Sequence, residues 1–333
     1  MARTALVTGS AGFIGYFTAR ALLEAGWQVV GLDAMTDYYD IALKAQRRDM
    51  LRAHDAYSDV KGRLETPNLL CDLFAEHGFD AVVHLAAQAG VRHSIEAPRD
   101  YISANIAGTF ELLEAARAHP PKHLLLASSS SAYGAGTDMP YRETIRADHQ
   151  VSLYGATKKA TENLSHSYAH LYGLPTTLFR FFTVYGPWGR PDMAHFKFTR
   201  AILNGDPINI YNHGEMRRDF TYVDDLVASV IALIDAVPGD TPVAGDSLSP
   251  VAPHRVVNIG NGAPVGLMDF VAAIETACGV TAHKTFHPMQ PGDIPATWAD
   301  TSLLEALTGS RPATPLQTGI DAFVTWYRDF YQV

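Results

Sequence analysis

The sequence of 333 residues contains only two cysteines and no long apolar run. Cys71 and Cys278 provide neither a disulfide framework nor the ligand spacing of a metal site. The longest apolar stretches, at 81–87 and 227–237, are too short to span a membrane and are typical of buried elements. The net charge of −9 argues against nucleic acid or an anionic membrane as a partner. With 47% apolar and 18% charged residues, the composition is typical of a globular enzyme.

The first half of the chain alternates short apolar strands with amphipathic helical segments. This alternation predicts an α/β fold with a doubly wound parallel sheet that is covered by helices on both faces. Because the first strand begins at Thr4, there is no room for a signal peptide before it, and we expect a cytoplasmic protein. The predicted strands lie at 4–8, 28–32, 81–85, 123–127 and 176–181.

In the second half, proline and glycine become frequent and the regular alternation fades. This change predicts a smaller, discontinuous C-terminal α/β lobe on the substrate side, with the chain returning to the main sheet near 217–234. The segment 320–331 has helical spacing of apolar residues and is expected to pack as a closing helix. We assign 1–183 and 219–243 to a dinucleotide-binding Rossmann domain, and 184–218 and 244–333 to the lobe.

Three glycines, Gly9, Gly12 and Gly15, follow the first predicted strand and precede a helix and a second strand that ends in Asp33. One glycine permits the tight turn, one leaves room for a pyrophosphate, and one allows the helix to pack closely. The start of the helix directs free N–H groups at the phosphates. Asp33 would accept hydrogen bonds from the adenosine ribose and would repel a 2′-phosphate, so the pattern favours NAD over NADP.

A run of serines at 128–131 ends the strand at 123–127, and Tyr154 and Lys158 follow in a predicted helix. Ligands of a parallel sheet bind beyond the carboxyl ends of its strands, so the serines face the predicted cofactor site. The i,i+4 spacing places Tyr154 and Lys158 on one helix face. A phenol has a pKa of ~10, which the neighbouring ammonium and the nicotinamide ring would lower toward the range of a general base.

The motifs TGSAGFIG, HLAAQAGV, SSSSAYG, YGATK and RDFTYVDD occur in this order along almost the whole chain. Their order resembles that of the extended short-chain dehydrogenase/reductase family and, within it, of the nucleotide-sugar epimerases. The resemblance implies a hydride-transfer enzyme with bound NAD, in which Ser129, Tyr154 and Lys158 are the catalytic residues. It also implies a homodimer formed through the helix that carries Tyr154 and through its neighbour at 105–119.

The resemblance further implies which residues contact the cofactor and the nucleotide sugar. For NAD they are, besides Tyr154 and Lys158, the residues Gly9, Gly12, Phe13, Ile14, Gly15, Asp33, Lys44, Asp72, Leu73, Leu85, Ala86, Ala87 and Gln88. For the UDP-sugar they are Arg92, Ser129, Ser130, Ser131, Thr183, Arg190, Lys197, Arg218 and Asp293. By the same resemblance, Arg218 would bind the diphosphate, Asp293 would lie near the uridine ribose, and Asp72 would meet the adenine. No metal is expected, and His84, inside an apolar strand, is expected to be a core histidine.

Ser130 and Ser131 restrict the predicted chemistry. Sugar dehydratases of the family carry an Asp-Glu pair at these two positions, and uronate decarboxylases carry a Glu at the second. A dehydratase needs a carboxylic acid to protonate the leaving hydroxyl, which a serine cannot do at neutral pH. The two serines therefore favour oxidation followed by re-reduction of the same carbon.

The segments DAMTDYYDIALK, AQAGVRHS and FFTVYGPWGRPDMA resemble those of UDP-glucuronate 4-epimerases. A uronate carries a carboxylate, which the planar fork of Arg190 can hold at two points, while Thr183 adds a hydroxyl donor. We therefore expect NAD-dependent 4-epimerisation of UDP-glucuronate to UDP-galacturonate through a 4-keto intermediate. The chain departs from these relatives at His93, where they have a tyrosine.

Three other functions stay open at this point. A 4-epimerase of neutral sugars such as UDP-glucose would use the same catalytic residues, and a comparison of turnover would distinguish it. A UDP-glucuronate decarboxylase would need an acid at Ser131. An NAD-sensing regulatory protein of the same fold would be expected to lose Tyr154 or Lys158, and both are present.

Overall fold

The computed structural model describes residues 2–136, 138–239, 242–290 and 294–333. The strands are β1 (Thr4–Thr8), β2 (Gln28–Asp33), β3 (Tyr57–Lys61), β4 (Ala81–His84), β5 (His123–Ser129), β6 (Thr176–Phe181), β7 (Thr183–Tyr185), β8 (Ile208–Ile210), β9 (Arg217–Tyr222), β10 (His254–Ile259), β11 (Pro264–Gly266), β12 (Lys284–Phe286) and β13 (Ala296–Thr297). The helices are α1 (Phe13–Glu24), α2 (Ile41–Arg52), α3 (Leu69–His77), α4 (His93–Glu96), α5 (Pro98–Tyr101), α6 (Gly108–Ala118), α7 (Leu153–Tyr172), α8 (Ala194–Asn204), α9 (Val223–Ile234), α10 (Leu267–Cys278), α11 (Ser302–Thr308) and α12 (Leu316–Tyr331). A π-helical turn over Ile102–Ala107 leads into α6, and a 3₁₀ turn over Ser130–Tyr133 follows β5.

Seven parallel strands form the main sheet in the order β10-β6-β5-β4-β1-β2-β3. Ala5 and Val7 of β1 lie in the apolar core on one face, and Leu6 lies in the core on the other face. This division arises because alternate side chains of a strand project from opposite faces. Helices α1, α9 and α11 pack on the first face, and α3 and α6 pack on the second. The predicted doubly wound sheet is therefore confirmed.

Two strands of the main sheet were not predicted from the sequence. β3 is an edge strand that pairs with β2 alone, and its polar residues hide its strand pattern. β10 contains the buried Arg255, whose Nε and Nη2 both lie 2.8 Å from the carboxylate of Asp246. Because this charge is neutralised by a loop residue, β10 can be buried although its sequence looks polar. β10 belongs to the main sheet, although it lies within the range 244–333 that we assigned to the lobe. The division into domains stays a prediction.

The smaller lobe contains short strands and helices. β9 pairs with β7, β11 and β13, and β8 pairs with β12. Helices α8, α10 and α12 enclose an aromatic core that includes Phe196, Phe270 and Phe323. The predicted return near 217–234 occurs only through α9, which packs on the main sheet, because β9 stays in the small sheet. The predicted closing helix is present as α12, and no helix in the described ranges is long and apolar enough to cross a membrane.

Candidate active site

The glycine loop, residues 9–15, leaves β1 at the carboxyl edge of the main sheet and turns into α1. Gly9 has a φ of 72°, a conformation that favours glycine. A Cβ on Gly15 would lie 1.9 Å from the Gly9 carbonyl oxygen, and a Cβ on Gly9 would lie 2.9 Å from the Ala86 nitrogen. Gly12 is the N-cap and has no side chain to cover the first-turn N–H groups of α1, including those of Phe13 and Ile14. This backbone cradle fits the diphosphate of a dinucleotide.

Asp33, at the end of β2, lies beside the glycine loop. Its Oδ2 accepts a hydrogen bond from the Ala11 N–H at 3.1 Å, and its Oδ1 accepts one from the Met35 N–H at 2.7 Å. These bonds orient the carboxylate, and each oxygen keeps a lone pair for a ribose hydroxyl. The geometry therefore suits the predicted role of Asp33.

The other predicted adenosine-side residues lie on α2 and α3. Lys44 is 6% exposed, and its Nζ donates to the Thr36 carbonyl and hydroxyl at 2.8 and 2.9 Å. Burial lowers the pKa of Lys44. Asp72 is exposed in the first turn of α3, whereas Leu73 is buried in the core.

The predicted cofactor segment 85–88 follows β4 and is held by two side chains. The Thr8 hydroxyl accepts hydrogen bonds from the N–H groups of Leu85 at 3.2 Å and Ala86 at 3.1 Å. Asn105 accepts from the Gln88 N–H at 2.7 Å and donates to the Gln88 carbonyl at 3.0 Å. Ala87 lies between these anchored residues, so the whole segment is fixed beside the glycine loop.

Asn105 is a site residue that sequence reasoning missed. It lies in the π-helical turn, and its Nδ2 also donates to the Thr157 hydroxyl at 3.0 Å. It thereby connects the segment 85–88 to α7 directly before Lys158. A single asparagine in a helical pattern carries no local signal, and only the widened turn shows that it faces inward.

The structure brings Ser129 and Tyr154 together. Ser129 is the last residue of β5, and Tyr154 lies in the first turn of α7, which Ser152 caps by accepting the Gly155 N–H at 3.0 Å. Burial raises the pKa of Tyr154, while the hydrogen bond with Ser129 and the charge of Arg190 lower it. Tyr154 therefore has one hydrogen-bonding and one cationic neighbour that favour its phenolate form.

Lys158 lies one turn after Tyr154 and is 6% exposed. Its Nζ donates to the Ala127 carbonyl at 2.8 Å, and burial lowers the pKa of Lys158 to about 8. The sequence predicted that this ammonium would lower the pKa of Tyr154, but the groups that do so here are Ser129 and Arg190. The hydrogen bond from Lys158 to the Ala127 carbonyl explains why the ammonium does not act on Tyr154, because this bond directs the ammonium to β5.

A buried ion pair supports α7 behind these residues. Arg180 donates through Nε and Nη2 to the two carboxylate oxygens of Glu162, at 2.8 and 2.7 Å. The Ser128 hydroxyl donates to the same carboxylate at 2.7 Å. Because Glu162 is one turn after Lys158, this network fixes α7 against β5 and β6.

Arg190 lies on the substrate side and is the last residue of a turn at 186–190 that we call the clamp turn. Its Nε and Nη2 donate to Asp192 at 3.0 and 2.5 Å, and its side chain is 22% exposed. The Tyr38 hydroxyl donates to Asp192 at 3.3 Å. His93 lies next to Tyr38, with ring centroids 4.8 Å apart. The predicted carboxylate-binding arginine is therefore held by an acid two residues away, with part of its side chain still accessible.

Three more of the predicted substrate residues follow the carboxyl ends of β5 and β6, and a fourth lies on α8. Ser130 and Ser131 form the 3₁₀ turn after β5, where the Ser131 N–H donates to the Ser129 hydroxyl at 3.1 Å. Thr183 begins β7 and is partly exposed. Lys197, exposed on α8, contributes to the lowered pKa of Asp192.

Of the other two predicted arginines, Arg218 lies in the small sheet of the lobe, and Arg92 directly precedes α4. Arg218, in β9, donates to the carbonyls of Arg217 and Pro295 at 2.9 and 3.2 Å. The guanidinium of Arg92 lies 5.5 Å from the ring centroid of Tyr211. Asp293 lies outside the described residues.

Two buried histidines have no catalytic geometry. His84 bonds with the hydroxyls of Thr8 at 2.8 Å and Thr109 at 3.4 Å, and burial lowers its pKa to about 3. His195 is likewise buried, and burial lowers its pKa to about 3. Within the described part of the chain, no group of three or more His, Cys, Asp or Glu residues could hold a metal ion.

Comparison with known proteins gives a family match over most of the chain. The model of the NAD dependent epimerase/dehydratase family matches residues 5–260. A protein of Rhizobium meliloti named "Probable UDP-glucuronate 4-epimerase" is 51% identical over 333 residues, covering 98% of this chain and 97% of the relative. UDP-glucuronate 4-epimerase 4 of Arabidopsis thaliana is 46% identical over 333 residues, covering 98% of this chain and 76% of the relative.

The fold is also similar to that of solved structures. UDP-glucuronic acid 4-epimerase from Bacillus cereus, in complex with UDP-glucuronic acid and NAD, matches with a TM-score of 0.88 and 31% identity. This match covers 98% of this chain and 100% of that chain. UDP-glucose 4-epimerase from Thermotoga maritima, with UDP-glucose, matches with a TM-score of 0.86 and 27% identity, covering 98% and 99% of the two chains.

Proposed function

The chain belongs to the NAD-dependent epimerase/dehydratase family, and from this premise we propose that it interconverts UDP-glucuronate and UDP-galacturonate by inverting carbon 4. The observation that carries the proposal is the position of Arg190, whose charge lowers the pKa of Tyr154. A group suited to a carboxylate thus lies close enough to the base of an epimerase site for its charge to favour the phenolate. The relatives named for the same reaction support this substrate.

NAD is the cofactor, and the residues near the carboxyl ends of β1 and β2 fit it. The backbone cradle around Gly12 would hold the diphosphate, and the Asp33 carboxylate would hold the adenosine ribose. Bound NAD supplies a reversible hydride acceptor for carbon 4 of the sugar. Because the cofactor is restored in each cycle, the protein is an isomerase with no net redox change.

Tyr154 is proposed as the base that removes the proton from the 4-hydroxyl. Ser129 hydrogen-bonds the substrate oxygen and the phenol, so that the proton moves along a short path to Oη of Tyr154. Lys158 holds a buried positive charge at the end of β5 through its bond to Ala127. After the 4-keto sugar turns in the pocket, Tyr154 returns the proton to the oxygen on the inverted carbon.

The uronate creates a hazard at the 4-keto stage. The ketone lies β to the carboxylate, and such an acid loses carbon dioxide when the breaking bond aligns with the carbonyl π system. Arg190, with Thr183, is proposed to hold the carboxylate near the plane of the ketone, where this alignment is poor. Ser130 and Ser131 add no carboxylic acid that could promote dehydration.

NMR of the purified protein with UDP-glucuronate, without added NAD, tests this function. Signals of UDP-galacturonate should appear, because the cofactor is retained. UDP-glucose is the matched neutral substrate and should turn over more slowly. A UDP-pentose, which forms when the 4-keto uronate loses carbon dioxide, would overturn the proposed epimerase function if it were the main product. Preferred turnover of UDP-glucose would also overturn it.

We further propose a homodimer formed through α6 and α7, in the cytoplasm. Apolar side chains remain exposed on both helices, with Phe110 44% and Leu171 65% exposed. Exposed apolar side chains on neighbouring helices are compatible with an interface between two copies of the chain. Sedimentation velocity tests this proposal, since a monomeric mass at micromolar concentration would contradict it.

A further inference from the structure

Arg47 is a fully buried arginine of α2 that connects the glycine loop to the clamp turn. Its residue exposure is 0%. Nη1 donates to the Ala11 carbonyl at 3.1 Å and to the Tyr39 hydroxyl at 2.9 Å. Nη2 donates to the Trp188 carbonyl and, at 3.5 Å, to that of Gly189. One side chain thus contacts the segments proposed to hold the diphosphate of NAD and the carboxylate of the sugar.

The charge of Arg47 has no acidic partner within the described ranges. The neighbouring arginines of α2, Arg48 and Arg52, both form ion pairs with Asp59. Arg47 instead contacts three carbonyls and one hydroxyl. A buried guanidinium without a carboxylate is destabilising unless another negative group lies near it. A diphosphate on the glycine loop, whose Ala11 carbonyl is only 3.1 Å from Nη1, would provide that charge.

The clamp turn has a backbone that needs an external support. Trp188 has a φ of 60°, which a non-glycine residue adopts only at an energetic cost. Its indole is fixed by Trp326 and Phe330, each with a ring centroid 5.2 Å away. The backbone carbonyl is fixed by Arg47. Since Arg190 comes two residues after Trp188, the direction of the Trp188 carbonyl determines the position of the Arg190 backbone, from which the side chain extends.

We infer that Arg47 is a positioning residue that couples retention of the dinucleotide to the placement of Arg190. Its charge attracts the diphosphate across the glycine loop, and its planar fork holds the Ala11 carbonyl through Nη1 and the Trp188 and Gly189 carbonyls through Nη2. The part that concerns Arg190 rests on the proposed function. The part that concerns the dinucleotide rests only on the burial and contacts of Arg47.

The variant Arg47→Met tests the coupling, with Arg48→Met as its matched control. Arg48 is the next residue of the helix, and Asp59 would keep Arg52 as a partner in the control. Arg47→Met should lower the NAD content of the purified protein about tenfold, as expected for the loss of charged hydrogen bonds. Hydrogen–deuterium exchange of the peptide 185–193 should become faster by a similar factor of about ten. The UDP-pentose share of the product should rise. The control should change none of these quantities.

The variant Arg47→Lys separates the charge from the fork. A lysine keeps the charge but has a single nitrogen, so it lacks the two coplanar donors with which Arg47 joins the Ala11 and Trp188 carbonyls. NAD content should therefore stay within about twofold of the parent value, because the charge is retained, while exchange of 185–193 should still become faster. If Arg47→Met does not fold, Arg47→Lys decides the matter, since exchange equal to that of the parent protein would overturn the positioning role.

These readouts separate this inference from the proposed function. If the parent protein does not epimerise UDP-glucuronate, the proposed function fails, while NAD content and exchange rates still test Arg47. If the parent epimerises it but Arg47→Met retains NAD and parental exchange, the coupling is wrong and the proposed function stands.

Discussion

Arg190 and Asp192 form a two-point ion pair, with Nε and Nη2 of the arginine 3.0 and 2.5 Å from the two carboxylate oxygens. The Nε edge of the guanidinium is therefore occupied, and Nη1 remains for a further acceptor. The charge of Arg190 lowers the pKa of Asp192 despite the burial of that acid. Asp192 thus fixes the direction of the Arg190 side chain.

The first prediction concerns this orientation. In Asp192→Asn one of the two oxygens becomes an amide donor, which cannot accept from Arg190, so the arginine loses its fixed direction. The KM for UDP-glucuronate should rise about tenfold, the effect of one charged hydrogen bond, and that for UDP-glucose should not change. Steady-state kinetics with both substrates measure the difference. Asp206→Asn, at an exposed acid beyond α8, is the control, and equal KM values in the two variants would contradict the prediction.

The second prediction concerns the planar guanidinium of Arg190. Arg190→Lys keeps a positive charge but loses the planar two-point contact. We expect a higher KM for UDP-glucuronate and a larger UDP-pentose share, because the carboxylate can rotate out of the ketone plane. Product analysis by NMR measures both products in one sample. The exposed Arg200→Lys on α8 is the control. An unchanged product ratio in Arg190→Lys would remove the protective role.

The third prediction concerns Tyr154. Tyr154→Phe removes the acid–base hydroxyl but keeps the ring that packs against Tyr101, with centroids 6.1 Å apart. The kcat should fall by about 10²–10⁴, the usual contribution of general acid–base catalysis. NAD content should match that of the parent, because the glycine loop is untouched. Normal turnover in this variant would exclude Tyr154 as the base.

Much of the site was predictable because its signals are local in the chain. Gly9, Gly12 and Gly15 lie close together in the glycine loop, and each is needed where a Cβ would meet backbone atoms, as for Gly15 at 1.9 Å. Tyr154 and Lys158 lie on one helix face. Such spacings can be recognised before any tertiary contact is known.

Other parts of the site and fold were not predictable, because the role of these residues depends on partners in other elements of the fold. Arg47 contacts a carbonyl 141 residues away, and no pattern near it distinguishes it from Arg48. Asn105 faces inward only because its turn is π-helical. Arg255 looks like a surface charge until Asp246 neutralises it. In each case a buried polar group is satisfied by a partner outside its own helix or strand, which sequence spacing does not reveal.

The last prediction concerns the burial of Lys158 and its dependence on pH. Burial lowers the pKa of this ammonium to about 8 in the folded protein, whereas the ordinary value in an unfolded chain is ~10.4. Below pH 8 both states carry the proton, so the folded protein bears the full cost of a buried charge. Between these two pKa values only the unfolded state keeps the proton, and stability therefore rises with pH.

Lys158→Met removes the buried charge while preserving side-chain length. The Tm of the variant minus the Tm of the parent should be largest at pH 7. This difference should shrink as the pH rises from about 8 to about 10. Differential scanning fluorimetry at several pH values measures the difference, and loss of epimerase activity should accompany it at every pH. Lys122→Met is the control, because this exposed lysine pairs with Asp80 at the surface and carries no burial cost. A Tm difference for Lys158→Met that stays constant from pH 7 to about 10 would show that the ammonium is not destabilised by burial.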